Sequence, residues 1–283
     1  MKTILTLGGT GYLGKKVVDL LLTHHHTIIS IVRDANKIHN PQIDYYDNSN
    51  QSISTVFKEY QIDMVLNMAC SYDHGISLYQ DVIESNINFP LRVMNAAAQA
   101  SVKDFVTIGT GLPDNFNMYS VSKKCFSDFG KFYCEKHGLN FVNIKLEMFY
   151  GTDEPKDRFI AYVADKLVNN QDIDLTLGYQ KRDIIHVNDV SRVVVEIAER
   201  QWDGYSEIPV GTGEAPTIRE IVTYMKELLG SKSKLNWGAV PMRRGIEPHC
   251  IANTEILTNQ HIYIQYNWKD GLKKMLYELM EGR

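Results

Sequence analysis

The 283-residue sequence predicts an α/β chain: a doubly wound parallel sheet with a smaller α+β lobe interleaved into its second half. Three observations predict it. Short apolar runs rich in β-branched residues alternate with helix-length stretches, a glycine-rich turn follows the first run, and the rhythm changes after about Gly151. Such alternation implies right-handed crossovers and a sheet covered on both faces, with ligands beyond the carboxyl ends of its strands.

The elements follow in order. KTILTL, TIISIV, MVLNMA, DFVTIG and FVNIKL are the strand candidates, and a further strand pattern ends near Asp47. Their apolar runs are too short for helices and too continuous for half-exposed strands. Tyr12 to Leu22, Leu78 to Ala100 and Met118 to His137 carry helical lengths and spacing. Beyond Gly151, a helix over Arg158 to Asn169 leads to short strands at LTLGY and DIIHV and a helix through Val193 to Glu199; helices at Thr217 to Leu229 and Asp270 to Glu281 complete the lobe.

Composition narrows the function. With 44% apolar and 23% charged residues the chain has an ordinary globular balance, and its formal charge of -4 with no Lys/Arg block excludes a phosphate-backbone binder. Cys70, Cys125, Cys134 and Cys250 lack CxxC spacing, and no apolar leader precedes the first strand, so a reducing cytoplasmic setting is expected. No apolar run has the length to cross a bilayer. His24-His25-His26 lies where a helix gives way to a strand and reads as a solvated turn, and no metal site is expected.

The first motif is LTLGGTGYLG, which sets Gly8, Gly11 and Gly14 between strand and helix. Glycines there permit a tight turn, backbone approach to a pyrophosphate and close helix–strand packing, while the helix N-terminus offers free N–H groups. The reading is a dinucleotide site, although GxxGxxG differs from the GxGxxG fingerprint. After the second strand comes Arg33, where an acidic residue would bond a ribose 2′-hydroxyl; arginine there suits a 2′-phosphate, so NADP(H) is favoured over NAD(H), with Asp34 adjacent. Asp47 is a candidate adenine contact. A dinucleotide-binding domain over residues 1–150, continued by about 181–202, is expected, with 151–180 and 203–283 forming an interleaved substrate-binding lobe.

The second motif is NMYSVSKKCF. Tyr119 and Lys123 are four residues apart on one helical face, and Thr110 ends the DFVTIGTG strand, so the three converge on one carbonyl. An amphipathic helix surface is the plainer alternative. Together with DMVLNMAC, SNINFPLRVMNAA, FYG at 149–151, KRDIIHVNDV and PVGTGEAPTIREIV, these stretches give a chain that resembles the extended short-chain dehydrogenase/reductases, the NAD-dependent epimerase/dehydratase family. LPDNFNMYSVSKKCF and KLEMFYGTDEPKDRF look like its small nucleotide-sugar 4-ketoreductases, the abequose and paratose synthases acting on CDP-linked 3,6-dideoxyhexoses of surface polysaccharides such as O-antigen.

The resemblance implies Tyr119 as general acid, Lys123 on the nicotinamide ribose and lowering the tyrosine's pKa, and Thr110 orienting the carbonyl. It places Gly8, Thr10, Gly11, Tyr12, Leu13, Gly14, Met68 and Ala69 with Tyr119 and Lys123 around the cofactor, Asn86 as a support of the backbone near the active site, and a homodimer through the two long helices. Arg182 and Arg243 are candidate diphosphate ligands, Arg182 alternatively pairing with Asp183 or Asp189, and Glu147 is a candidate sugar contact. The chain departs from the family in its short Thr110–Tyr119 segment, in the lack of an Asp-Glu pair after Thr110, in Thr152 and in Gly109, where serine is common. A 4-epimerase with bound NAD and a non-catalytic NADPH-sensing regulator are the rival expectations.

Overall fold

A computed structural model describes residues 1–35, 40–72, 79–242 and 249–281. The chain divides into two compact units, Met1–Lys145 with Val194–Ile208, and Leu146–Val193 with Pro209–Arg283.

The first unit is built on a seven-stranded sheet ordered β11-β6-β5-β4-β1-β2-β3. Its strands are β1 (Thr3–Leu7), β2 (Thr27–Val32), β3 (Ile43–Asp47), β4 (Met64–Asn67), β5 (Asp104–Ile108), β6 (Asn140–Leu146) and β11 (Tyr205–Val210). From β6 to β3 every neighbouring pair is parallel. The order reverses between β1 and β4, the switch point at which a doubly wound sheet opens a crevice. Helices α1 (Tyr12–Thr23), α2 (Asn50–Glu59), α4 (Phe89–Gln99) and α5 (Met118–His137) supply the crossovers. Phe105 and Phe141 stack, with Phe126 tilted against both, within the core that β5, α5 and β6 share.

Three local features depart from the sequence reading. Helix α2 was not expected, because NQSISTVFKE is polar overall; it forms where the Ser49 hydroxyl caps the Ser52 N–H and Ile53 and Val56 are buried. The helix expected over Leu78 to Ala100 is broken within its described part into α3 (Gln80–Ile83), a π-helical turn (Glu84–Asn88) and α4. His24 and His26 are also more than a solvated turn, since both bond one oxygen of Glu199, at 2.7 and 2.9 Å, and His26 is buried.

The second unit contains β7 (Met148–Tyr150), α6 (Phe159–Val168), β8 (Ile173–Leu175), β9 (Lys181–Arg182), β10 (Ile184–His186), the first half of α7 (Val187–Glu199), α8 (Ile218–Leu229), β12 (Leu235–Trp237), β13 (His249–Cys250), α9 (Glu255–Asn259) and α10 (Trp268–Glu281). The strands pair two by two, β10 with β7, β12 with β8 and β13 with β9. Because β10 pairs with β7, residues 184–193 belong to this unit, and the return to the first unit runs over 194–208 rather than the expected 181–202. Helices α6, α8 and α10 enclose its core around Tyr150.

Candidate active site

The glycine turn lies at the switch point. Gly8 has a φ of 74°, and a Cβ there would sit 2.6 Å from the Ala69 amide nitrogen; at Gly14 a Cβ would sit 2.1 Å from the Gly8 carbonyl oxygen. Both positions exclude any side chain. Helix α1 begins at Tyr12 with no side-chain cap, leaving its first N–H groups for an anionic group. Met68 and Ala69 close the opposite wall: Met68 N–H bonds the Leu7 carbonyl (2.8 Å) and Ala69 N–H bonds Asn67 Oδ1 (3.1 Å). A cradle with no room for a Cβ beside an uncapped helix start fits a dinucleotide pyrophosphate.

Arg33 stands exposed just past β2, with Asp34 half-buried beside it. Asp47 ends β3 and accepts from the Ser49 N–H (2.9 Å); the Ser49 and Ser52 hydroxyls hold its carboxyl down to about 2. Its oxygens thus also serve the start of α2.

Helix α5 is opened by a reciprocal cap, Asn117 Oδ1 accepting from the Ser120 N–H (2.8 Å) and Ser120 Oγ from the Asn117 N–H (3.1 Å). This cap fixes the first turn and with it Tyr119, which is 8% exposed. Thr110, two residues beyond β5, contacts the Tyr119 hydroxyl and accepts from the Leu112 N–H (3.2 Å). Lys123 is 5% exposed, its Nζ donates to the Ala69 carbonyl (3.1 Å), and it lies 5.9 Å from the Tyr119 ring centroid. The structure therefore brings Thr110, Tyr119 and Lys123 together, next to the wall of the glycine cradle.

Burial, then the neighbouring Cys70 and Tyr72, push the Tyr119 phenol above its ordinary value, while the Thr110 hydroxyl acts in the opposite direction. Burial also lowers Lys123, whose ammonium is directed to a backbone carbonyl. Cys70 and Tyr72 were missed by sequence reasoning. Their available signal was position, just past the carboxyl end of β4.

Gly109, the residue before Thr110, backs onto the buried side chain of Asn143. A Cβ at 109 would lie 2.2 Å from Asn143 Oδ1, an atom with no hydrogen-bond partner among the described residues. Asn143 Nδ2 donates to Ser127 Oγ (2.9 Å) and Glu207 Oε1 (3.1 Å).

In the second unit Glu147 follows β6, its N–H bonding the Val210 carbonyl (2.9 Å). Arg182 is half-buried in β9, and its Nη1 donates to the Lys181 carbonyl (2.6 Å). Both carboxylates considered as its partners hold backbone: Asp183 accepts from the Thr212, Gly213 and Ala252 N–H groups, and Asp189 from those of Gln265 and Tyr266 and from Arg192. Arg243 lies outside the described residues. Among the described residues no cluster of three or more His, Cys, Asp or Glu side chains could hold a metal, and no helix is long and apolar enough to cross a membrane.

Comparison with known proteins agrees with this geometry. CDP-abequose synthase of Salmonella muenchen is 28% identical, with 97% of each chain covered, and that of Yersinia pseudotuberculosis is 22% identical, with 98% of each covered. In three dimensions the chain is similar to the Thermotoga maritima UDP-glucose 4-epimerase with UDP-glucose (TM-score 0.88, 18% identity, 99% of each chain) and to the Thermus thermophilus UDP-glucose 4-epimerase complex with NAD (TM-score 0.86, 18% identity, 99% of this chain and 100% of that one). Residues 4–211 match the NAD dependent epimerase/dehydratase family, and the chain is an enzyme of that family.

Proposed function

We propose that the chain is an NADPH-dependent reductase of the 4-keto group of a nucleoside-diphosphate-linked deoxyhexose, with a CDP-linked 4-keto-3,6-dideoxyhexose as substrate. The observation that carries the reading is the Thr110–Tyr119 contact beside Lys123, at the carboxyl edge of the sheet and next to the glycine cradle. Similarity to CDP-abequose synthases along the whole chain supports the substrate.

Gly8, Thr10, Gly11, Tyr12, Leu13 and Gly14 hold the pyrophosphate, Met68 and Ala69 line the nicotinamide end, and Arg33 meets the 2′-phosphate. When bound, the reduced nicotinamide supplies a hydride. Thr110 orients the ketone, Tyr119 delivers its proton to the carbonyl oxygen as that becomes a hydroxyl, and Lys123 holds the cofactor ribose. Arg182 and Glu147 contact the diphosphate and sugar. The enzyme works as a homodimer through α5, a reading supported by an exposed apolar stripe of Val121, Phe129 and Phe132 on that helix.

The test supplies the ketosugar on CDP, dTDP and UDP, together with a free ketone, and follows loss of NADPH. The expected order places CDP first, and Arg182→Ala raises KM. A free ketone reduced as efficiently as any nucleotide-linked sugar would overturn the substrate reading, because no remote binding energy would then be in use. Sugar isomerisation without net NADPH loss would mark a 4-epimerase instead.

A further inference from the structure

Asn143 is 5% exposed, and half of its amide is bonded while the other half is not. In the register of β5 against β6 it lies beside Thr107, so its side chain emerges on the sheet face that also carries residue 109, two positions further along β5. Its Nδ2 donates to Ser127 Oγ on α5 (2.9 Å) and to Glu207 Oε1 on β11 (3.1 Å). The Tyr205 hydroxyl donates to the same carboxylate oxygen (2.8 Å) and bonds Ser127 Oγ (2.7 Å), which closes the network. Although burial raises it, the hydrogen bonds from Tyr205 and Asn143 hold the Glu207 carboxyl below its ordinary value, so at neutral pH it only accepts. Turning the amide over would set its oxygen against that carboxylate. Oδ1 is therefore committed to the other side, toward Gly109.

There it meets carbon. A Cβ at 109 would lie 2.2 Å from Oδ1, so the glycine α-hydrogen that takes that direction points at the oxygen, and the amide packs directly on the Gly109 Cα. Gly109 is not among the glycines of positive φ, so the missing side chain serves this close approach and not a turn. A buried amide oxygen normally has a hydrogen-bond partner, and leaving one without costs stability. The same glycine is held a second time by β6, its N–H donating to the Ile144 carbonyl (2.8 Å). The paired register of β5 ends at Ile108, and the residue after this doubly held glycine is Thr110.

We propose that Asn143 is a positioning residue for the reaction: wedged against Gly109 by Glu207, Ser127 and Tyr205, it fixes the end of β5 and with it the direction of the Thr110 hydroxyl. The inference rests on the reading of Thr110 as the residue that orients the ketone. It deepens that reading by assigning the aim of this hydroxyl to a buried amide on the neighbouring strand, outside the Thr110–Tyr119–Lys123 trio.

The experiment compares the parent with Asn143→Ala and with the Gly109→Ala/Asn143→Ala double variant, in which a methyl at 109 refills the space, and repeats Asn143→Ala in a Thr110→Val background. Asn143→Ala is expected to lower kcat for ketosugar reduction by about one to two orders of magnitude, the scale of a misplaced orienting group, with KM and NADPH affinity little changed. The double variant recovers most of that loss. In the Thr110→Val background Asn143→Ala lowers kcat no further, whereas its effect on the thermal midpoint is the same in both backgrounds. Threonine-methyl NMR reads Thr110 without substrate, Thr110→Val identifying its signal: the signal moves in Asn143→Ala and returns in the double variant. Should Asn143→Ala not fold, Asn143→Ser replaces it throughout. An unmoved Thr110 methyl in the folded variant, or an equal loss of kcat with and without Thr110, overturns the proposal. Failure of the parent to reduce any ketosugar removes the substrate reading instead, and the methyl signal then decides this one.

Discussion

The two units fasten their loops with different chemistry. In the first, the segment beside Tyr119 is held by a neutral amide, Asn86, on both backbone groups of Ser71. In the second, buried carboxylates do the corresponding work, Asp183 binding the 212–213 turn and Ala252, and Asp189 binding residues 265–266 together with Arg192. A carboxylate accepting several N–H bonds gives a stronger anchor than a neutral amide. The buried carboxylates Asp183 and Asp189 therefore serve as scaffolding, whereas the proposed chemistry is assigned to Thr110, Tyr119 and Lys123 in the first unit.

The largest effect expected is on chemistry alone. Tyr119→Phe should lower turnover by about two to four orders of magnitude, the usual range for a positioned general acid, with thermal midpoint and NADPH affinity unchanged. Near-parent turnover would erase the assignment of chemistry to the first unit. Next is stability without chemistry: Asp183→Ala strips the 212–213 turn and Ala252 of their acceptor and should cost on the order of 3 kcal/mol, read from urea unfolding, while NADPH still binds. A loss of cofactor affinity matching the loss of stability would show that the two units are not separable in this way.

A pH effect of intermediate size is expected from Glu154, buried after β7, which accepts from the Gly151 N–H (3.2 Å) and faces Arg158 Nε at 3.5 Å. Burial raises its pKa from 4.5 to about 7 despite Arg158. The folded chain therefore holds a proton that the unfolded chain has released, so this contribution is fully present below pH 4.5 and is lost as pH rises through about 7. Glu154→Gln should flatten that decline, on the order of 3 kcal/mol, in unfolding curves across the window; a parent curve without it would contradict the burial argument. The smallest effect is expected at the exposed Arg33: Arg33→Asp should shift the NADPH/NADH preference by about tenfold, the size of one charge-assisted hydrogen bond. Equal affinities in the parent would remove the 2′-phosphate contact.

The parts of this architecture legible in sequence are those that local chemistry determines. The glycine turn is visible because Gly8 and Gly14 are required by backbone conformation and by close approach within a few residues of β1. Tyr119 and Lys123 are visible because four residues make one helical face, and helix α5 runs from Met118 to His137 as its pattern predicts. Helix α2 escaped because its cap and two buried residues outweigh a polar composition, and the π-helical turn because one added residue leaves no mark in the apolar spacing. Cys70 and Tyr72 escaped for a deeper reason. Tyr72 meets Tyr119 across 47 residues of sequence, a contact that no local pattern encodes.

The fit between Gly109 and Asn143 constrains how this sequence can change. A serine at 109, the residue common at that place in the resembling family, would need the space that Asn143 Oδ1 fills, while Asn143 is itself moored to Ser127 and Glu207. The route from glycine to serine is therefore closed as a first step and opens only after, or together with, a shorter residue at 143. The two positions form an epistatic pair. Placing a serine alone at 109 should disturb the strand end before it can inform on catalysis.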